Sequence, residues 1–270
     1  MACACGELPP RHPTSQGASA ALELSTGESC ALDRITPEVI KVEKADASEW
    51  HGRFDLTDLP RLWEPAEPRR TYLPLSGGRT WRLGPALDAR SLIERQRAIF
   101  AAAAAEWRGE ATNAALVLEG RVGTITPVSC LEAMLWKWQA ARYPMLEHPT
   151  EFGAFVLRGQ GRVRVYLSSA DLVGQRTRDA ITKRVQADAS AGFRLVTHIH
   201  NHPFLFDRKV GDRMWTLEAT KEDVAGALAP SMTDVQFYRN LRNSLGLQEA
   251  WVMNGLNTSH FPAGEFDVLR

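Results

Sequence analysis

Residues 192–203 read GFRLVTHIHNHP, and how this segment folds decides the reading of everything around it. A glycine opens it, apolar and β-branched residues follow, and a proline closes it, which is the punctuation of a strand. Three histidines, His198, His200 and His202, stand at alternate positions. Alternate side chains of a strand project from one face, so the three imidazoles share a side. Pro203 cannot continue a ladder, which leaves the histidines at a strand end. Two imidazoles one residue apart can converge on one ion. Taken alone, the pair does not separate a metal site from surface or core histidines.

Downstream, Ser231–Asp234 reads SMTD and runs into DVQFYRNLRNSLG. Ser-x-x-Asp ahead of such a run is a capping-box pattern, with Ser231 as N-cap and Asp234 at the third helical position. A helix N-terminus also holds a carboxylate and a hydroxyl rigidly beside an electropositive site, so capping and metal ligation are compatible. Residues 204–230 lie between the two motifs and contain Asp207, Asp212, Glu218, Glu222 and Asp223 as other carboxylates. None of these has a serine three residues before it and an apolar helix after it. No HExxH helix occurs, which excludes the zincin arrangement. Pro203-Phe204 stand where a metallo-β-lactamase site needs an Asp-His pair, and too little chain follows His202 to complete an amidohydrolase barrel.

Upstream, ALVLEGRVGTIT (115–126) reads as two short strands around Gly120. Thr126 as N-cap and Pro127 at the first helical position predict a helix with LEAMLWKWQAAR as its body. EFGAFVLRG and RVRVYLSS predict two strands joined at Gly159–Gly161. Residues 177–190 (TRDAITKRVQADAS) predict a helix with Gly192 past its end, the SMTD helix ends at Gly246, and EAWVMN predicts a closing strand. The resulting order, β–β–α–β–β–α–β–α–β, is a mixed α/β or α+β fold. Ser91–Trp107 is helix-prone with Gly109 as its C-cap. Residues 21–85 combine prolines, a Gly77-Gly78 turn and short apolar runs, predicting short strands and loops. Residues 1–20 read as a disordered tail. The chain thus divides into this tail, a region 21–112 of unassigned function, and a patterned unit 113–270. Trp136 and Trp138 predict core packing, and Arg158, Arg162 and Arg164 a solvated hairpin edge. The sequon Asn257-Thr258-Ser259 reads as a chance match.

Composition bounds the function classes. With 44% hydrophobic and 24% charged residues the chain has the profile of a globular protein. Its 32 basic and 32 acidic residues balance, so charge gives no reason to expect nucleic acid or an anionic membrane as partner. No apolar run approaches the roughly 20 residues of a membrane span. Cys3, Cys5, Cys30 and Cys130 form neither a CxxC pair arrangement nor a dense disulfide framework. The opening MACACGELPPRHPTSQGASA lacks an apolar signal core, which makes the cytoplasm the default expectation. A lipid-anchored or exported protein is the alternative if Cys3 or Cys5 follows a missing signal.

HNHP followed by SxxD resembles the JAMM motif of the JAB/MPN-domain metalloproteases, whose pattern is an upstream Glu, then HxHP, then SxxD. Glu151, opening EFGAFVLRG, is the match for the upstream position. Glu147, ahead of Pro149, and Glu132, inside a helix, fit it less well. The HNHP wording is closest to the RadC-like and bacterial JAB branch. The resemblance implies an MPN/JAB-like (cytidine-deaminase-like) mixed sheet flanked by helices over 113–270, with an N-terminal extension of unknown fold. It makes 204–230 an insertion beside the site, longer than the family's spacer, as a lid or a recognition loop. It implies Zn2+ held by His200, His202 and Asp234, with Glu151 as general base and Ser231 as oxyanion donor. His198 then sits behind the ligands. The implied reaction is hydrolysis of a peptide or isopeptide bond, with a ubiquitin-like or sulfur-carrier-like protein as the expected partner. A non-catalytic MPN-like scaffold and a RadC-like protein of unsettled activity are the alternatives. Residues 20–110 show no helix-hairpin-helix motif of the RadC kind.

Overall fold

A computed structural model describes residues 35–43, 45, 48–66, 73–74, 80–81, 89–102, 105, 108–143, 150–171, 177–202, 208–210, 213–215, 228–255 and 257–270. In chain order its strands are β1 (Glu38–Val39), β2 (Glu49–Thr57), β3 (Leu73–Pro74), β4 (Thr80–Trp81), β5 (Thr124–Pro127), β6 (Phe152–Gly159), β7 (Arg162–Ala170), β8 (Arg194–Asn201), β9 (Arg208–Val210), β10 (Arg213–Trp215), β11 (Glu249–Met253) and β12 (Asn257–Pro262). The helices are α1 (Ala89–Ala102), α2 (Arg108–Leu118), α3 (Cys130–Arg142), α4 (Asp179–Ser190) and α5 (Met232–Leu245). An eight-stranded sheet in the order β1-β2-β7-β6-β8-β11-β12-β5 organises the molecule. The β8–β11 pair is parallel, and the chain returns between them through α5. This is the mixed α/β architecture expected from the alternation of strand and helix patterns.

Period-two alternation along the central strands divides the core between the two faces of the sheet. Phe155, Leu157, Leu195 and Val252 point to the face covered by α2, α4 and α5, where they meet Leu116, Val185, Val235 and Tyr238. Ala154, Val156, Ile199 and Trp251 point to the opposite face, packed by Leu131, Met134, Leu135 and Trp138 of α3. Each buried Val, Leu, Ile, Phe or Met among them contributes about 1.5–3 kcal/mol, so two full faces anchor β8 in the middle of the sheet. His198 and His200 alternate with Ile199, which places them on the α5 face.

Several boundaries depart from the sequence reading. Residues 115–118 end α2 rather than forming a strand, because Leu116 and Val117 pack from helical positions into the core. Only Thr124–Pro127 is strand. The helix expected to start at Thr126 starts at Cys130, with Ser129 as N-cap. A cap at Thr126 would put Ser129 at the third position, with no carboxylate to close the box. A cap at Ser129 puts Glu132 there, and its carboxylate accepts from the Ser129 backbone at 2.7 Å. Gly109, expected to close α1, lies in the first turn of α2 instead. The sequon stretch is β12, a strand not anticipated, with Thr258 and Ser259 fully buried. The Arg hairpin is partnered rather than merely solvated: Arg164 binds Asp55 and Asp188 at 2.7 Å each, and Arg158 binds Asp58 at 2.8 Å. The tail at 1–20 and the Gly77-Gly78 turn lie outside the described residues.

The 112/113 boundary falls inside α2, and the region before it supplies β1 and β2 to the same sheet. β2 pairs with β7 over its full length, from Glu49↔Ala170 to Thr57↔Arg162. A buried polar line fastens this seam. His51 Nδ1 lies 3.0 Å from Ser168 Oγ and His51 Nε2 lies 3.2 Å from Glu49, which is in turn paired with Arg178. Cys130, at the start of α3, is disulfide-bonded. Among the described residues no helix is long and apolar enough to cross a membrane.

Candidate metal centre

The site is built where the C-terminal end of β8 meets the N-terminal end of α5. β8 ends at Asn201, and the backbone N–H of His202 still donates to Met253 of β11 at 3.0 Å, so both histidines sit on a fixed backbone. Ser231 caps α5 in extended conformation, and Gly246 ends it in the left-handed region at φ 68°. The capping box is complete: Ser231 Oγ accepts from the Asp234 backbone at 3.1 Å, and Asp234 Oδ2 accepts from the Ser231 backbone at 2.8 Å. The same carboxylate faces the histidines. His202 Nε2 lies 3.1 Å from Asp234 Oδ2, His200 Nε2 lies 3.4 Å from Oδ1, and the two Nε2 atoms are 3.1 Å apart. Donor atoms of His200, His202 and Asp234 all fall within 4.8 Å of one another, and the three buried residues could hold a metal ion.

The surroundings orient these groups. Tyr238, one turn after Asp234, reaches His200 Nδ1 at 3.2 Å. If that ring nitrogen carries the proton and donates it to the Tyr238 oxygen, Nε2 presents its lone pair to the cluster. Burial pushes His200 below its ordinary pKa, favouring the neutral ligand form. Burial acts on His202 in the same sense, but the bond to Asp234 and the charges of Asp234, Glu151 and Glu110 outweigh it and raise that histidine. Burial would raise Asp234, yet His200 and His202 hold it well below the usual carboxylate range. A carboxylate kept ionised beside two imidazoles is the charge state a cation needs.

Glu151 immediately precedes β6. It stands two residues before Gly153, which pairs with His200 of β8. Its charge acts on both His202 and Tyr238. The backbone that carries it is held by residues the sequence reading did not single out. Asn201, between the two histidines, accepts from Phe152 N–H at 2.7 Å and donates to the Thr150 carbonyl at 3.0 Å. One amide side chain thereby stands in for a strand neighbour. Gln139 of α3 donates to Thr150 Oγ1 at 2.8 Å and to the Glu151 carbonyl at 3.3 Å, and accepts from Ser169 at 2.6 Å. The HxHP pattern itself was the available signal for Asn201; nothing local marks Gln139.

His198 is buried, as expected, but among the described residues neither ring nitrogen has a hydrogen-bond partner. Phe155 and Phe237 pack edge-on against its ring at centroid distances of 5.1 and 5.0 Å. Burial, with His200 adding to it, lowers its pKa to about 3, so the ring is neutral. It is absent from the donor cluster. Glu132 is occupied in the α3 capping box, whereas Glu147, Pro203 and the carboxylates Asp207, Asp212, Glu218, Glu222 and Asp223 lie outside the described residues. Within 204–230 the described residues include the β9–β10 antiparallel pair and the segment Leu228–Pro230. No family model, no characterised protein and no solved structure matches the chain.

Proposed function

We propose that the protein is a zinc-dependent hydrolase of peptide or isopeptide bonds, working in the manner of the JAMM metalloproteases. The observation that carries this reading is the spacing of the donors. Ligands about 2.0–2.1 Å from a tetrahedral zinc stand about 3.3–3.4 Å from one another. The contacts at 3.1, 3.1 and 3.4 Å in the His200–His202–Asp234 cluster approach that edge length. Two imidazoles and one carboxylate make a three-residue donor set, which suits a catalytic rather than a structural zinc.

His200, His202 and Asp234 would hold the ion. Zinc in such a setting supplies Lewis acidity and brings the pKa of water to about 7, so that a nucleophile exists at neutral pH. Glu151, whose charge reaches His202, takes the proton of the attacking water and delivers it to the leaving amine. Ser231 Oγ spends a lone pair on the Asp234 N–H, which leaves its own proton free for the developing oxyanion. Asn201 and Gln139 keep the Glu151 backbone in register with His202 while this proton moves. The partner is a protein or peptide presenting an amide bond, with the C-terminus of a ubiquitin-like or sulfur-carrier-like protein as the class to assay first.

Metal analysis and a peptide-cleavage assay on the purified chain test the reading together. One zinc per chain is expected, and Glu151→Gln is expected to keep that zinc and lose hydrolysis. Full activity in Glu151→Gln refutes its role as base. A chain that takes up no stoichiometric zinc is a scaffold of the same architecture and not a hydrolase.

A further inference from the structure

We infer that helices α1 and α2 form a positioning clamp for Ser231 and Asp234, in which Gln96, Asn113 and Glu110 grip the backbone of residues 229–232. The inference rests on the hydrolase reading above and concerns residues outside the His-His-Asp cluster and its motif.

Three buried polar side chains from the two helices converge on this short stretch. Gln96 of α1 makes a two-point bond with Ala229: its Nε2 donates to the Ala229 carbonyl and its Oε1 accepts the Ala229 N–H, both at 3.0 Å. Asn113 of α2 donates to the Pro230 carbonyl at 3.0 Å and binds the carbonyl and amide of Arg270 at 3.1 and 2.7 Å. Both carboxylate oxygens of Glu110 accept the Met232 N–H at 3.2 Å.

The chemistry of these contacts is directional. Apolar packing alone would keep α5 against the sheet but would tolerate sliding and rotation. Burying an amide or a carboxylate is costly unless its partners are met with good geometry, so each bond ties one backbone atom to one place. Ser231 and Asp234 satisfy one another, and Glu110 takes an early α5 N–H that their capping box leaves over. The carboxylate also stands at the positive end of the helix, and its charge reaches His202 and Asp234. The clamp therefore sets where the downstream ligand stands, whatever the course of the segment between Pro203 and Leu228. Glu110 adds negative charge beside the cation site without belonging to it.

The test uses the full chain with Gln96→Ala, Glu110→Gln and, as a control for altering α1, Glu94→Gln on its solvent side. Zinc affinity is measured by competition with a chromophoric chelator, and amide hydrogen exchange is followed at 229–234 in metal-free protein. Glu110→Gln preserves shape and can still accept the Met232 N–H, so it reads charge in a folded chain, while Gln96→Ala reads position. Both are expected to weaken zinc binding about tenfold or more, the usual scale for residues that orient ligands. Gln96→Ala is also expected to speed exchange at 229–234, and kcat is expected to fall more than KM rises. Glu94→Gln is expected to leave all three quantities unchanged. Zinc affinity and exchange equal to the unmodified chain in both variants overturn the clamp while leaving the hydrolase reading intact. Absence of stoichiometric zinc from the unmodified chain overturns the hydrolase reading and, with it, the catalytic purpose of the clamp.

Discussion

Replacing His198 with leucine separates the third histidine of the motif from the two that face the cluster. The side chain is fully buried between Phe155 and Phe237, and among the described residues neither ring nitrogen has a hydrogen-bond partner. Leaving a buried polar group unpaired costs about 1–3 kcal/mol, whereas an apolar replacement of similar volume costs less than about 1.5 kcal/mol in misfit. His198→Leu is therefore expected to be neutral or stabilising at pH 7. The pH dependence gives the sharper magnitude. Burial takes this histidine from an ordinary 6.5 to about 3, so it contributes stability above 6.5 that is lost as pH falls toward 3. Between pH 7 and pH 4 the loss is about 3 kcal/mol. Urea denaturation of metal-free protein at the two pH values reads it directly. The natural chain is expected to lose about 3 kcal/mol more than His198→Leu over that interval. Parallel losses refute a sealed, neutral His198, and loss of stoichiometric zinc from the variant makes it a ligand.

Glu132 titrates with the opposite sign. Burial raises it from 4.5 to about 7, so its stabilising contribution is full below 4.5 and is lost as pH rises through 7. Relative to Glu132→Gln, the natural chain is expected to lose about 3 kcal/mol between pH 4.5 and pH 8 in urea melts, and a flat difference refutes it. Asn201→Ala strands the Phe152 N–H and the Thr150 carbonyl, which is expected to cost about 2–4 kcal/mol by denaturation. The same variant is expected to lower kcat by more than tenfold while zinc still binds; unchanged kcat refutes the view that Asn201 positions Glu151.

What was legible in the sequence was local. Period-two alternation and Pro203 outlined β8, Ser231 with Asp234 and Gly246 bracketed α5, and glycines at 159 and 161 marked the β6–β7 hairpin. Each of these signals sits within a few residues of what it determines. Residues 115–118 misled because a short apolar run is compatible with a strand and with a buried helix end. β12 was missed because Thr258 and Ser259 are polar residues in core positions. The contacts of Gln96 with Ala229 and of Asn113 with Pro230 span 133 and 117 residues, and no periodicity can announce them. The three-residue donor set was legible because a motif names its members; the side chains that aim it were not, because only the fold brings them there.

The seam between β2 and β7 bears on how this chain can be cut. β7 pairs with β2 along all nine of its residues and with β6 on its other side from Arg162 to Ser169. Removing everything before residue 113 would uncover that whole row of backbone donors and acceptors, a long edge of the kind that recruits other strands and precipitates. It would also strip Phe54 from the core and the Glu49 and His51 partners from Ser168 and Arg178. The smallest soluble fragment that retains the His-His-Asp cluster should accordingly begin before Glu49, and a truncation drawn at the motif-bearing half would be an aggregation experiment rather than an activity experiment.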